Sequence, residues 1–561
     1  MIRKTLGAAS LAGLLAIGSL SSRADLLNRP ADERPTLPSF ESGTGEQILP
    51  PVTIPDSDNL EGIAAGRTVY IRDYQFSGNQ VFPLEKLQAI AADFRSRQVS
   101  FADLERLRTT ITQAYIAAGM VNSGALIPDQ EVAGGVVRVL IVEGYLAEVS
   151  AHTDGRLRTA PIEQQILRAG TPLNVFALEE ELQLLQQDPR IERFQAQLLP
   201  GDTPGEARLD LGIEEARPWQ FNITLANDEP VAIGEEALTL GFMHYNLLGF
   251  SDELGIWATK TEGLEKADAF YRIPINSYGT TVGVAWSESH SEVVPKPFDA
   301  LQIEGESSTF TGEVQHPLWR HPDSTMRLFL KAEARRSYTS LLGFGFTFTP
   351  GPEEGLARAR VVRIGQDYTH RSPQRVLALR TTLSTGLDVD NATIHDDDDI
   401  PDGEFLSALV QFQLAQRMAL FDSTLIGRLD AQWSDSPLLG MEQLAIGGKR
   451  TVRGYVENGL VADNGVIASL EWRIPVWRSG DGSSTLQFAP FADYGQGWNS
   501  AGEDPVDDQL ASIGAGLLFS SGHRYRAEVW YGEALEEMTS EPIDSSLQEQ
   551  GWHLSLSVTL P

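Results

Sequence analysis

The chain has 561 residues, with 44 Lys and Arg against 77 Asp and Glu and a formal net charge of -33. That length exceeds one ordinary domain, and a hydrophobic content of 42% excludes a disordered chain. The acidic balance argues against a nucleic-acid partner, whose phosphates demand a basic patch; the absence of cysteine removes disulfides, thiolate chemistry and zinc–cysteine sites.

Residues 1–24 have the layout of a secretory signal: Arg3 and Lys4, an apolar core over 6–20, and Ser22-Arg23-Ala24 as a small-x-small cleavage site. No later stretch offers the roughly twenty uninterrupted apolar residues of a membrane helix. An exported chain of this kind goes to the periplasm, the medium, or the outer membrane as a β-barrel. Residues 25–66 carry Pro30, Pro35, Pro38, Pro50, Pro51 and Pro55 without a helical period and read as a solvated periplasmic linker.

Residues 67–146 predict a small α+β unit in the order strand–helix–helix–strand–strand. Residues 70–76 alternate as a strand, and Leu84, Leu87, Ile90, Ala91 and Phe94 recur at helical spacing. Ser100 and Asp103 read as a capping box opening a second helix, whose stripe is Leu104, Leu107, Ile111, Ala114, Tyr115 and Ala118. Strands at 125–128 and 136–143 finish it. Residues 147–217 repeat that order: a strand at 146–151, helices at 161–168 and 175–187 with Asn174 as cap, and strands at 195–199 and 207–214.

From Trp219 onward helical spacing vanishes and sixteen strand-like segments follow. In the last, Trp552, Leu554, Leu556, Val558 and Leu560 take one face, while His553, Ser555, Ser557 and Thr559 take the other. Apolar-out, polar-in alternation is that of a transmembrane barrel. Connections are short at 247–249, 371–374 and 520–523 and long at 291–301, 339–356, 390–402, 435–463 and 535–549, matching short periplasmic turns and long outer loops. Closure also removes the free edges that an open sheet would leave. The predicted fold is two α+β units followed by an all-β transmembrane barrel of 16 antiparallel strands over 218–561, ahead of a soluble β-sandwich.

Two stretches in the barrel stand apart. In Ile446-Gly447-Gly448-Lys449-Arg450-Thr451-Val452-Arg453-Gly454-Tyr455, three glycines permit positive φ, so Arg453 rides on a stiff turn. Some forty residues on, Phe491, Asp493 and Gly495 share one strand face by alternation. A loop arginine and an inner-face carboxylate can form a bidentate, charge-assisted pair. Either motif alone also fits a hairpin with a surface arginine.

Together, Val452-Arg453-Gly454-Tyr455 and Phe491-x-Asp493-x-Gly495 resemble the motifs of the two-partner secretion outer-membrane transporters, the TpsB family. The two α+β units resemble that family's POTRA domains. Ile127-Pro128-Asp129-Gln130, Val142-Glu143-Gly144-Tyr145 and Asp188-Pro189-Arg190-Ile191 add to the likeness. The resemblance implies periplasmic POTRA domains and a loop, 435–463, folded into the barrel lumen. There Arg453 would pair with Asp493, with Tyr455 beside them. It implies a secreted TpsA-like partner, adhesin- or cytolysin-like, that crosses unfolded, and outer-membrane lipid and the barrel-assembly machinery as partners in biogenesis. It implies neither cofactor nor nucleic acid. Family members often begin with a helix that plugs the lumen; here only Asp25-Leu26-Leu27-Asn28 precedes Pro30. Outer-membrane barrels commonly end in an aromatic residue, whereas the last residue here is Pro561, which cannot donate a ladder bond.

Three other readings are an insertase of the same superfamily, a passive porin and a soluble binding protein. The acidic run 396–399, with Asp388, Asp390, Asp402 and Glu404, holds oxygen ligands but lacks the spacing and glycine of a calcium loop. It reads as a solvated outer loop. With no Gly-x-Ser-x-Gly, no metal pair at helical spacing and no nucleotide motif, neither catalytic nor metal residues are predicted.

Overall fold

A computed structural model describes residues 34, 35, 37, 38, 40, 48, 49, 68–168, 172–296, 298–539 and 546–560. The predicted signal segment, 1–24, and Pro561 lie outside the described residues. The chain forms two units, one within 45–216 and one comprising the chain from 217 together with the described residues of 34–40.

The 45–216 unit holds two lobes. The first runs β1 (Thr68–Ile71), β2 (Asp73–Ser77), α1 (Leu84–Ile90), β3 (Arg97–Ser100), α2 (Phe101–Ala117), β4 (Gly124–Leu126) and β5 (Val136–Val142). Its sheet has the order β2-β5-β4, with β2 parallel to β5. The single strand predicted at 70–76 is broken at Arg72, whose N–H donates 2.7 Å to Gly135 O. Segment β1 then turns aside to pair with β3. Side-chain alternation alone carries no mark of such a break. Helix α2 starts with a reciprocal cap: Asp103 N donates to Ser100 Oγ (3.1 Å) and Ser100 N donates to Asp103 Oδ2 (2.9 Å). Its stripe Leu107, Ile111 and Tyr115 packs with Val137, Val139 and Ile141 of the sheet.

The second lobe runs β6 (Tyr145–Thr153), α3 (Ala160–Arg168), α4 (Val175–Gln186), β7 (Ile191–Pro200) and β8 (Glu206–Glu215), with sheet order β6-β8-β7. Asn174 Oδ1 accepts from Phe176 N at 2.9 Å and caps α4. Leu173, Leu178 and Leu182 close over Leu209 and Leu211. Leu49 joins that core, and the Glu179 carboxylate accepts from Ile48 N and Leu49 N. The proline-rich segment is therefore not solvated throughout, because an apolar core and a carboxylate take up two of its residues.

The second unit is a closed antiparallel barrel. Its strands are β9 (Trp219–Ala226), β10 (Ala237–His244), β11 (Glu253–Lys260), β12 (Leu264–Pro274), β13 (Thr281–Glu292), β14 (Ile303–Arg320) and β15 (Ser324–Leu341). A two-residue spur, β16 (Phe344–Gly345), pairs only with β15. The ring continues with β17 (Leu356–Arg371), β18 (Arg375–Gly386), β19 (Leu406–Met418) and β20 (Ser423–Ser434). The connection after β20 contains a small hairpin, β21 (Leu444–Ile446) and β22 (Leu460–Ala462), which belongs to no barrel strand. Then come β23 (Asn464–Arg478), β24 (Ser484–Trp498), β25 (Gln509–Ser521), β26 (Tyr525–Ala534) and β27 (Trp552–Leu560). Leaving aside the spur and the hairpin, sixteen strands form the ring, and β27 pairs with β9 to close it.

Alternation divides the wall. Leu238, Leu240, Trp286, Phe310, Leu330, Ile364, Leu429, Leu470, Leu517 and Leu556 stand exposed on the outside, an apolar belt that only lipid would cover. Inside, polar groups meet across strands, as with Thr224 and Ser557 (3.0 Å), Thr239 and Thr259 (3.0 Å), and Asp367 with Arg380 (2.6 Å). The inner face also takes up part of the proline-rich segment. Arg34 Nε donates 2.7 Å to Asp430 Oδ2, Gln413 Nε2 donates 2.7 Å to Pro35 O, and Arg417 stacks on Phe40.

Candidate functional site

The connection 435–463 folds inward and is fastened to two separate parts of the inner wall. Its tight course starts at Gly447 and Gly448, with φ of 109° and 96°. Thr451 Oγ1 closes the turn, accepting from Gly447 N at 2.8 Å and lying 2.8 Å from Gly447 O. This delivers Val452, Arg453, Gly454 and Tyr455 to the wall formed by β23, β24, β25, β26 and β27.

Arg453 and Asp493 meet. Arg453 Nε and Nη2 donate to the two Asp493 oxygens at 2.8 and 2.9 Å, and the Arg453 backbone N–H adds a third bond at 3.1 Å. Nη1 donates 2.7 Å to Glu471 Oε2 and Nη2 lies 3.2 Å from Ser469 Oγ. The guanidinium sits 3.7 Å from the Phe491 ring centroid and 4.4 Å from that of Trp530. A planar cation with fixed donors meets such a surround where a lysine would not. Among the described residues, every hydrogen bond reaching Asp493 comes from Arg453, whereas Glu471 also holds Arg473 at 2.5 Å.

The neighbouring motif residues each meet a steric or polar demand. Gly454 has φ 91°, and a Cβ there would lie 2.8 Å from Gly532 O. Gly454 N donates 3.1 Å to His553 Nε2, so this nitrogen carries no proton while the bond stands. Tyr455 is buried, its Oη 2.9 Å from both Ala511 O and Glu536 O, and it accepts from the two backbone N–H groups at 3.3 and 3.2 Å. Val452 packs with Leu444, Ile446, Leu460, Ile467 and Leu510. Gly495 lies beneath them; a Cβ there would overlap Ile446 Cγ2 and come within 3.0 Å of Val452 Cγ2. Phe491, Asp493 and Gly495 are thus respectively a ring support, a counter-ion and a space left for the loop.

A second fastening had no sign in the sequence. Glu442, on the other limb of the loop, accepts from Arg335 Nη1 at 2.8 Å and from Arg363 Nη2 at 2.8 and 2.9 Å. Those arginines come from β15 and β17. Arg363 also holds Glu333 (3.0 and 3.1 Å) and Ser384 Oγ (2.7 Å). One acid among 77 is undistinguished until register shows two arginines inward on neighbouring strands. Lys449 adds a third contact, with Nζ 2.6 Å from Ser555 Oγ and 3.3 Å from Glu528.

The acidic outer loop is not gathered around a point. Asp390 binds Arg360 at 2.9 Å, and Asp402 accepts from His395 N and Glu404 N. Among the described residues, no group of acids and histidines is arranged to hold a metal ion.

The chain is similar to known proteins in sequence and in fold. The profile of the haemolysin secretion/activation protein family ShlB/FhaC/HecB matches residues 205–519, and that of the ShlB-type POTRA domain matches residues 69–144. The heme/hemopexin transporter protein HuxB of Haemophilus influenzae is 24% identical over 492 residues, 84% of either chain. The outer membrane transporter CdiB of Dickeya dadantii is 22% identical over 471 residues, 80% of either chain. The solved structure of CdiB from Escherichia coli superposes with a TM-score of 0.67 at 20% identity, covering 91% of this chain and 93% of that one.

Proposed function

The chain belongs to the haemolysin secretion/activation family ShlB/FhaC/HecB, and from that membership we propose that it is an outer-membrane pore that passes a large, unfolded exoprotein to the cell surface or medium. It is an outer-membrane barrel preceded by POTRA-type domains, and its relatives are transporters. The observation that carries the reading at residue level is the loop 435–463, docked in the lumen through Arg453 on Asp493. A passive porin would explain the barrel but leaves both α+β lobes and the Arg453–Asp493 arrangement without purpose.

In this reading the two lobes capture a TpsA-like partner. Among the described residues, the outer strands of each three-stranded sheet, β2 and β4 in one and β6 and β7 in the other, pair on one side only. Extended cargo can add a strand there, because backbone pairing tolerates diverse sequence. The loop then shifts to clear a path, and Val452, Arg453, Gly454 and Tyr455, with Phe491, Asp493 and Gly495, define its docked state rather than perform a reaction. Folding of the cargo outside supplies the drive. Lipid around the apolar belt and the assembly machinery that inserts the barrel complete the set of partners.

The test is secretion from the native host, comparing wild type, Arg453→Ala and a deletion, with porin levels followed in the same samples. One large exoprotein should vanish from surface and medium in both mutants while porins hold steady. A fall in porin assembly with no single exoprotein lost would instead establish the insertase reading.

A further inference from the structure

The two fastenings of the loop are not equivalent. If Arg453 withdrew, Asp493 would be left buried, since its hydrogen bonds among the described residues all come from Arg453. A stranded buried charge makes that step costly. If Glu442 withdrew, Arg363 would keep Glu333 and Ser384, and Arg335 would still lie 4.0 Å from Glu333. The wall at β15 and β17 is thus already half-compensated without the loop. The Arg453 limb presses glycine backbone on glycine backbone at Gly454 and Gly532 and fills the space over Gly495. The Glu442 limb packs Leu438, Leu439 and Met441 with Ala357, Val361 and Phe405, and at Gly440 and Met441 it borders a cavity of about 400 Å³ that is also lined by Lys266, Ser289, Ser307 and Arg335 and reaches Asn458 on the other limb.

We propose that Glu442 is the release point of the loop. The limb around 438–443 leaves β15 and β17, the cavity beside it widens along the hydroxyl-bearing wall, and the Arg453 limb stays docked as the hinge side. Glu442 acts as a positioning residue, holding the loop shut through Arg335 and Arg363. This rests on the transport reading, in which the loop shifts, and it adds which end moves.

The chain has no cysteine, so a single Met441→Cys or Val456→Cys reports one limb each. Labelling by a membrane-impermeant maleimide is followed on the full-length protein in outer membranes, and secretion is scored in parallel. Glu442→Gln removes one charged partner and should speed labelling at 441 at least about tenfold, leaving 456 at its original rate. Arg335→Gln, which alters the wall and not the loop, should act in the same direction and guards against a folding artefact in the first variant. If labelling at 441 is unchanged in both variants while Arg453→Ala still abolishes secretion, Glu442 is not the release point and the transport reading stands. If both cysteines speed up together, the loop undocks as one body and the inference falls. If Arg453→Ala secretes normally, the transport reading is what fails.

Discussion

Removing Arg453 and removing Asp493 should not cost the same, although they form one pair. Arg453→Ala leaves the Asp493 carboxylate, whose side chain is 0% exposed, without its counter-charge and with only the backbone N–H of residue 453 as donor. Breaking a buried pair in this way costs about 3–5 kcal/mol. Glu471 adds little to that figure, because Arg473 still holds it at 2.5 Å. Asp493→Ala is milder. Arg453 keeps Glu471 at 2.7 Å and its two aromatic rings, so the loss is that of charged hydrogen bonds, about 1.5–3 kcal/mol. The double variant should cost less than the sum, since the stranded carboxylate of the first single is gone. In populations, Arg453→Ala lowers the docked-to-undocked ratio of the loop by roughly a hundredfold or more. Hydrogen exchange at the Arg453 and Gly454 amides of the purified full-length protein reads that ratio directly. Equal protection in the two single variants, or strict additivity in the double, would refute the argument that Asp493 depends on Arg453 alone.

Gly495→Ala should loosen the loop by about 1–3 kcal/mol through overpacking against Ile446 and Val452. Gly427→Ala, whose Cβ meets open space, should leave thermal unfolding and loop protection at wild-type values. Tyr455→Phe leaves four backbone groups of Ala511 and Glu536 without the hydroxyl and should cost about 1–3 kcal/mol, read as faster proteolysis of the 435–463 loop. In the first lobe, the hydrogen bond from Ser100 N, with others from its side chain, holds the Asp103 carboxyl below its ordinary range. A depressed acid stabilises above its unfolded value and loses that contribution as pH falls through the folded one. Helix α2 should therefore exchange amide hydrogens faster below about pH 4, and Asp103→Asn should flatten that acid limb while weakening the helix by about 0.5–2 kcal/mol.

The barrel was legible because lipid and lumen impose opposite chemistry on alternate residues, which a strand such as β27 writes plainly into sequence. The helices of both lobes announced themselves through spacing and caps, as at Ser100 with Asp103 and at Asn174. What stayed hidden has physical causes. The break at Arg72 depends on one hydrogen bond to Gly135, sixty-odd residues away in sequence. The docking of Arg34, Pro35 and Phe40 on the inner wall rests on Asp430, Gln413 and Arg417, partners nearly four hundred residues on. Proline content says only that such a segment is extended, not what it lies against. Arg453 and Asp493 were found because glycines flag a forced turn and alternation flags a shared face. Glu442 has neither flag, and only the register of β15 on β17 reveals what receives it.

The loop's partners also fix when it can settle. Arg453, Gly454 and Lys449 lean on β23, β24, β26 and β27, all of which follow the loop in the chain, and β27 is the strand that pairs Leu560 with Phe221 to close the ring. Contacts so distant in sequence form late, after their entropy of closure has been met. The strap is therefore seated at the same stage as the seam, and His553 contributes to both, facing the Gly454 amide from the closing strand. A lesion in the loop motif then has two separable signatures: a pore that assembles and does not secrete, or a ring that closes slowly because its last strand has lost an internal foothold.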